Sequence, residues 1–136
     1  MSRTGVVLFL CPHNAAKSLL AAAYFDRLSR RRGLPYRADT AGTEPEAVPA
    51  PVVVEALRAE GVDVSGHLPR LVQQQDLDSA QHVVSMGCNL IGLASADARV
   101  EHWDDVPPVS QNLDAAYAVI RSRVETLVSE LERETR

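Results

Sequence analysis

"VVLFLCPHNAAKSLLAAAYF", Val6 to Phe25, decides the fold. Its first part is an unbroken apolar run. With Gly5 before it and Pro12 after it, residues 5–11 read as a short buried strand. A polar loop follows. From Ser18 to Arg32 apolar residues recur at helical spacing (Leu19, Leu20, Ala23 and Leu28), and Gly33 supplies the stop. The unit is therefore strand, loop, helix, with Cys11 at the mouth of the strand and Lys17 and Ser18 six and seven residues later.

The same alternation continues outward. "YRADTAGT" (36–43) reads as a more polar strand ending in the turn Ala41-Gly42-Thr43. Pro49 or Pro51 opens a helix through "VVVEALRAEG", closed by Gly61. Residues 65–81 read as a loop with a short helical piece. "HVVSMG" (82–87) reads as a third strand, and "ARVEHW" (98–103) as a weaker fourth. Leu113 to Leu131 is the clearest helix, with apolar residues at steps of three and four. Alternating strands and helices imply a single α/β domain over 1–136, a doubly wound parallel four-stranded sheet with helices on both faces. Ligands of such sheets bind at the carboxyl ends of the strands, and both Cys11 and Cys88 follow one.

Composition narrows the function. The 136 residues fit one domain, and an apolar content of 46% suffices for one core. A net charge of −4 gives no general attraction to nucleic acid or to an anionic membrane. The basic cluster Arg27–Gly33 falls where a helix ends, which suits the helix dipole. No apolar stretch approaches the ~20 residues of a membrane span. Two cysteines and no export signal lead to the expectation of free thiols in a reducing cytoplasm. His67, His82 and His102 lack metal-ligand spacing, so no metal is expected.

A strand–loop–helix unit with a cysteine at its base suits a tetrahedral oxyanion. Backbone amides of His13, Asn14, Ala15, Ala16, Lys17 and Ser18 can curl inward as a nest, and the helix N-terminus adds positive potential. The same field favours the thiolate of Cys11, a nucleophile beneath a bound phosphoryl group or arsenate. Ser18 is placed to donate to the sulfur, and Asn14 tolerates the left-handed backbone of a sharp loop. The bland alternative for Cys11 is a strand-end cysteine serving as a small hydrophobe.

This stretch resembles the signature of the low-molecular-weight protein tyrosine phosphatases and of the arsenate reductases that share their fold: cysteine, five residues, then arginine and serine, often with asparagine three after the cysteine. Here it reads Cys11, Asn14, Lys17, Ser18. "ADTAGTEP", "VVVEALRAEGVDVSGHLPR", "HVVSMGC" and "VEHWDDVPP" resemble later segments of that family in the same order, the last in its arsenate reductase form. The resemblance implies the family's phosphate-binding loop and fold. It also implies Cys11 as nucleophile, Lys17 and the loop amides on the oxyanion, Ser18 supporting the thiolate, and a phosphatase or thiol-dependent arsenate reductase activity. Phosphate, arsenate or a phosphorylated molecule is the expected substrate, with no cofactor beyond an external thiol reductant or thiol-redox partner.

Two departures fall on catalytic positions. Lysine replaces the arginine whose planar fork grips two phosphoryl oxygens. Pro107 stands before Pro108 where the family has its proton-donating aspartate, leaving Asp104 and Asp105 as displaced candidates or as an ordinary acidic turn. Both departures lead to the expectation of weak activity on ordinary aryl phosphates, with a catalytically impaired oxyanion-binding or regulatory protein as the alternative. Cys88 reads as a redox partner or as a small buried residue, and "CNLIGLAS" holds no third cysteine for an internal relay. His13 reads as added positive charge or as an exposed loop residue. Trp103 reads as a wall of the site mouth or as a core side chain.

Overall fold

The computed structural model describes residues 5–90, 92–93 and 100–135. The elements run β1 (Gly5–Leu10), α1 (Lys17–Arg31), β2 (Tyr36–Ala41), α2 (Pro51–Arg58), α3 (Gln74–Ser79), β3 (His82–Ser85), β4 (Val100–His102) and α4 (Leu113–Glu134). All pairings are parallel, and the strand order is β2-β1-β3-β4. This is the doubly wound parallel sheet that the alternating pattern implies.

The alternation of side chains along β1 divides the interior in two. Val7, Phe9 and Cys11 face a large core shared with Leu20 and Phe25 of α1, Val53 and Leu57 of α2, and Ile120, Val124 and Leu127 of α4. Leu8 and Leu10 face a smaller cluster with Leu77 of α3, Val72 and Val83. Both faces of β1 are thus covered, which explains why its sequence is continuously apolar rather than alternating.

Several boundaries differ from the periodicity. The third strand ends at Ser85 because Gly87, at a φ of 91°, turns the chain away. The last helix continues to Glu134, carrying Arg133 in its final turn. Of the fourth strand, residues 98–99 lie outside the described residues. The basic end of α1 is tied to acids elsewhere, Arg27 to Glu60 at 2.8 Å and Arg32 to Glu132 at 3.4 Å. Among the described residues no helix is long and apolar enough to cross a membrane.

Candidate active site

The turn from β1 to α1 is built by disposing of its carbonyls. The carbonyl of Pro12 accepts from Glu44 N (2.7 Å), that of His13 from Glu46 N (3.0 Å), and that of Ala15 from Ala50 N (2.9 Å). The carbonyl of Ala16 accepts from Leu19 and Leu20 inside α1. The Asn14 carbonyl lies 3.0 Å from Nε2 of His67. In a trans peptide the N–H of the next residue points opposite to the C=O, and the described chain has no cis bond. Tying these carbonyls outward therefore turns the amides of His13, Ala15, Ala16 and Lys17 to the other side of the loop. Among the described residues those four amides have no hydrogen-bond acceptor. Four unpaired donors at the start of a helix form an anion nest.

Cys11 closes the base of this nest and is 4% exposed. The Ser18 amide donates to its sulfur at 3.4 Å, and Sγ and the Ser18 hydroxyl are 3.2 Å apart. The Asn14 amide nitrogen Nδ2 donates to the same hydroxyl oxygen at 3.0 Å. With that oxygen accepting from Asn14, the Ser18 proton is free to turn to the sulfur, the arrangement a thiolate requires. Ser18 and Asn14 are both fully buried, so this polar trio is shielded from competing water.

Asn14 corrects the simplest picture of the loop. The sequence places its amide in the nest with those of residues 13 to 18, but it donates instead to the Cys11 carbonyl at 3.3 Å. The residue has a φ of 50°, which asparagine tolerates. Its Oδ1 accepts from the Arg70 amide at 2.9 Å. Asn14 holds the loop in shape and presents no donor of its own to the oxyanion.

Two supporting residues are not among the sequence candidates for the site. Arg70 donates to both carboxylate oxygens of Asp76 at 3.0 Å and to Asp39 at 3.2 Å, while its backbone amide holds Asn14. The arginine fastens the loop to β2 and α3, and no local pattern around it signals that role. Gly42 is where the chain leaving β2 passes under the loop. A Cβ there would sit 2.5 Å from the Pro12 carbonyl oxygen and 2.6 Å from that of Cys11. A glycine directly after a strand is the signal that finds such a close approach.

Lys17 lines the same cavity as Cys11, and its Nζ donates to the Val106 carbonyl at 3.1 Å. An ammonium has three protons, so two remain for an oxyanion. His13 is exposed at the rim. A cavity of about 360 Å³ opens above Cys11, His13 and Lys17, and Ala50, Val52, Pro108 and Val109 form its apolar walls.

The acid-loop candidates are elsewhere. Asp105 is exposed and its carboxylate accepts from Arg123 at 2.6 Å; that hydrogen bond holds its carboxyl below the usual range. Asp104 is exposed, and neither aspartate lines the cavity. Trp103 does not wall the mouth. It is 1% exposed, its ring centroid is 5.9 Å from that of Phe9, and its Nε1 donates to Glu101 at 2.6 Å. An apolar ring directly after β4 has the core beneath it, and burial there removes more surface from water than a place at the rim.

Cys88 shares the strand edge with Cys11, because Leu10 and Ser85 are register partners. It is half-buried, and its amide donates to Ser85 Oγ at 3.1 Å. Burial pushes the Cys88 thiol up, hydrogen bonding to Thr43 draws it partly back, and negative charge on Cys11 pushes it up again. Both cysteines are free.

Known proteins share this fold and are similar in sequence. The family model described as "Low molecular weight phosphotyrosine protein phosphatase" matches residues 6–136. A Halobacterium salinarum protein provisionally named an arsenate reductase is 32% identical over 125 residues, covering 90% of this chain and 87% of its own. The low molecular weight protein-tyrosine-phosphatase YfkJ of Bacillus subtilis is 36% identical over 91 residues, 63% of this chain and 58% of that one. The crystal structure of YfkJ superposes with a TM-score of 0.86 at 27% identity, covering 99% of each chain. A thioredoxin-dependent arsenate reductase of Corynebacterium glutamicum shares the fold, with a TM-score of 0.81 at 24% identity over 98% of this chain and 64% of that one. The chain belongs to the low molecular weight phosphotyrosine protein phosphatase family.

Proposed function

We propose that this protein is a cysteine-dependent oxyanion enzyme in which Cys11 attacks phosphorus, or arsenic, of a tetrahedral oxyanion held by the loop. The observation that carries the reading is the placement of the Cys11 sulfur. It sits against the Ser18 amide and hydroxyl at the base of a loop whose other four amides have no acceptor among the described residues. The amides of His13, Ala15, Ala16 and Lys17, together with the Lys17 ammonium, neutralise the oxyanion. Ser18, oriented by Asn14, stabilises the sulfur as nucleophile and later as leaving group.

Turnover of ordinary aryl phosphates is weak on this reading. Lysine brings charge without the bidentate grip of arginine, and neither Asp104 nor Asp105 is placed to protonate a leaving oxygen. A second reading, arsenate reduction, is favoured by the placement of Cys11 and Cys88 after the paired strands β1 and β3, at the same edge of the sheet. It needs two electrons, which two external thiol groups supply as they become a disulfide, and therefore a thiol-redox partner, consistent with free cysteines in this chain.

The test is direct. Cys11 alkylation by iodoacetamide is expected to be slowed by phosphate and by arsenate. Hydrolysis of 4-nitrophenyl phosphate and arsenate reduction with several thiol donors are then measured for the native protein and for Cys11→Ser. Protection without either turnover would leave an oxyanion-binding or regulatory protein on the same fold. No protection and no turnover would remove the reading altogether.

A further inference from the structure

The cavity above Cys11 supplies a nucleophile and an oxyanion nest, but the described residues around it provide no carboxylic acid. Asp105 is turned outward onto Arg123 at 2.6 Å, Asp104 is exposed away from the cavity, and the cavity wall at this loop is formed by Pro108 and Val109. Val106, two residues before Pro108, is tied down by Lys17, so the loop is fixed in this arrangement at the site itself. A phosphoryl transfer here starts with a thiol nucleophile and ends with a leaving group that no carboxylic acid among the described residues is placed to protonate.

That requirement selects a chemical class. A phenolate leaves as the base of an acid with a pKa of ~10, whereas a carboxylate leaves as the base of an acid near ~4. At neutral pH the carboxylate needs no proton. We propose that the site acts on acyl phosphates, mixed anhydrides of phosphoric acid and a carboxylic acid, with a small apolar acyl portion seated against Val52, Pro108 and Val109. The inference rests on the nucleophilic role proposed for Cys11.

The chemistry balances without a general acid. The Cys11 thiolate forms an S–P bond as the bond from phosphorus to the acyl oxygen breaks, and the carboxylate leaves with that electron pair. A water oxygen then attacks phosphorus and the S–P bond breaks, returning its electron pair to the sulfur beside Ser18. Inorganic phosphate is released, and the proton from water passes to solvent. The volume of about 360 Å³ accommodates a small acyl group, and the walls at Ala50, Val52, Pro108 and Val109 offer it apolar contact.

The native protein tests this with size-matched substrates. Benzoyl phosphate, 4-nitrophenyl phosphate and phenyl phosphate carry similar rings on leaving groups of increasing basicity. After subtraction of the rate with Cys11→Ser, kcat/KM is expected to fall steeply along that order. Benzoyl phosphate should exceed phenyl phosphate by about 10³-fold or more, since general acid catalysis that would flatten the series is typically worth about 10²–10⁴. Rates within tenfold of each other across the series would overturn the inference while leaving Cys11 as nucleophile. So would a loss confined to phenyl phosphate in His13→Gln, which would identify the rim histidine as a proton donor. No Cys11-dependent hydrolysis of any of the three, with no phosphate protection of Cys11, would remove both this inference and the function on which it rests.

Discussion

The Nζ of Lys17 donates to the Val106 carbonyl across 3.1 Å, so the cation that opens α1 also holds down the loop leading away from Trp103. One side chain connects the oxyanion nest to the wall of the cavity. Arginine at this position would have a longer reach and five donors in a planar fork, so it can grip an oxyanion without surrendering the contact to Val106. Removal of one well-placed donor from a site of this kind typically lowers the rate by about 10²–10³. Lys17→Arg is therefore expected to raise kcat for 4-nitrophenyl phosphate, by about tenfold if part of that stabilisation is recovered. Adding Pro107→Asp should raise phenyl phosphate hydrolysis further and leave an acyl phosphate unchanged. Loss of activity in Lys17→Arg would show that lysine is the adapted residue.

Asn14 joins four partners, Cys11 and Ser18 within the loop and His67 and Arg70 beyond it, and each substitution separates a different part of its role. Asn14→Ala removes the donor to Ser18 and the acceptor for the Arg70 amide, both in a buried setting, and is expected to destabilise the fold by roughly 1–3 kcal/mol. Asn14→Gly should be milder by about 1 kcal/mol, because the φ of 50° is unfavourable for alanine and free for glycine. Urea unfolding of the two variants measures the difference. Equal stabilities would mean that backbone conformation contributes nothing here.

Gly42→Ala tests the close approach beneath the loop. The new methyl group would meet two carbonyl oxygens at 2.5 and 2.6 Å, and both belong to backbone rather than to a movable side chain. Overpacking of this kind costs about 1–3 kcal/mol. The loop is expected to shift enough to abolish phosphate protection of Cys11 while circular dichroism remains that of the native sheet and helices. Unchanged protection would show that the nest does not depend on Gly42.

The two cysteines should differ in reactivity. Burial pushes the Cys88 thiol above its ordinary value, so Cys88 is protonated at neutral pH and its alkylation should accelerate only above the free-thiol range of about 8.5. The sign for stability follows: a raised thiol favours the fold below the unfolded value, and that contribution fades as pH rises through the folded value. Mass-resolved alkylation between pH 6 and 9 is expected to label Cys11 before Cys88. The opposite order would contradict the nest. In Cys11→Ser the Cys88 rate should rise, since a negative neighbour is gone.

Asp105 and Trp103 provide a control pair away from the chemistry. The Arg123 hydrogen bond holds the Asp105 carboxyl below the usual range. Any stability from it is therefore present above the unfolded value and fades as pH falls through the lowered one. Asp105→Asn is expected to leave the pH dependence of kcat unchanged. Trp103, buried against Phe9, should respond strongly to unfolding and little to phosphate, as fluorescence titration can measure.

The stretch Val6 to Phe25 carries much of the fold because its information is local. An apolar strand, a loop without apolar periodicity and a helix with apolar spacing are each readable within a few residues. Asn14 and Ser18 are legible for the same reason, being one helical turn apart and within seven residues of Cys11. Arg70 and Val106 are not. Their contacts with Asn14 and Lys17 span 56 and 89 residues and exist only once the strand order brings the segments together. Trp103 was open to two readings because a tryptophan after a strand suits a rim or a core equally well, and the choice was made by Phe9 beneath it. The acid loop shows the same limit, since the outward turn of Asp105 depends on Arg123 in α4.

β1 is bonded on one side to β2 and on the other to β3, and Cys11 is the residue that follows it. The reactive sulfur thus stands on a doubly paired inner strand, with no hinge between the nest and the sheet. Local opening that exposes it would have to break strand pairing on both sides of β1. An oxyanion that binds only the native loop therefore stabilises the whole molecule, by about 2.7 kcal/mol at a hundred times its Kd. Amide hydrogen exchange of Leu8 and Leu10, deep in the interior, would slow along with that of the loop itself, and the ligand would be felt as far away as α4.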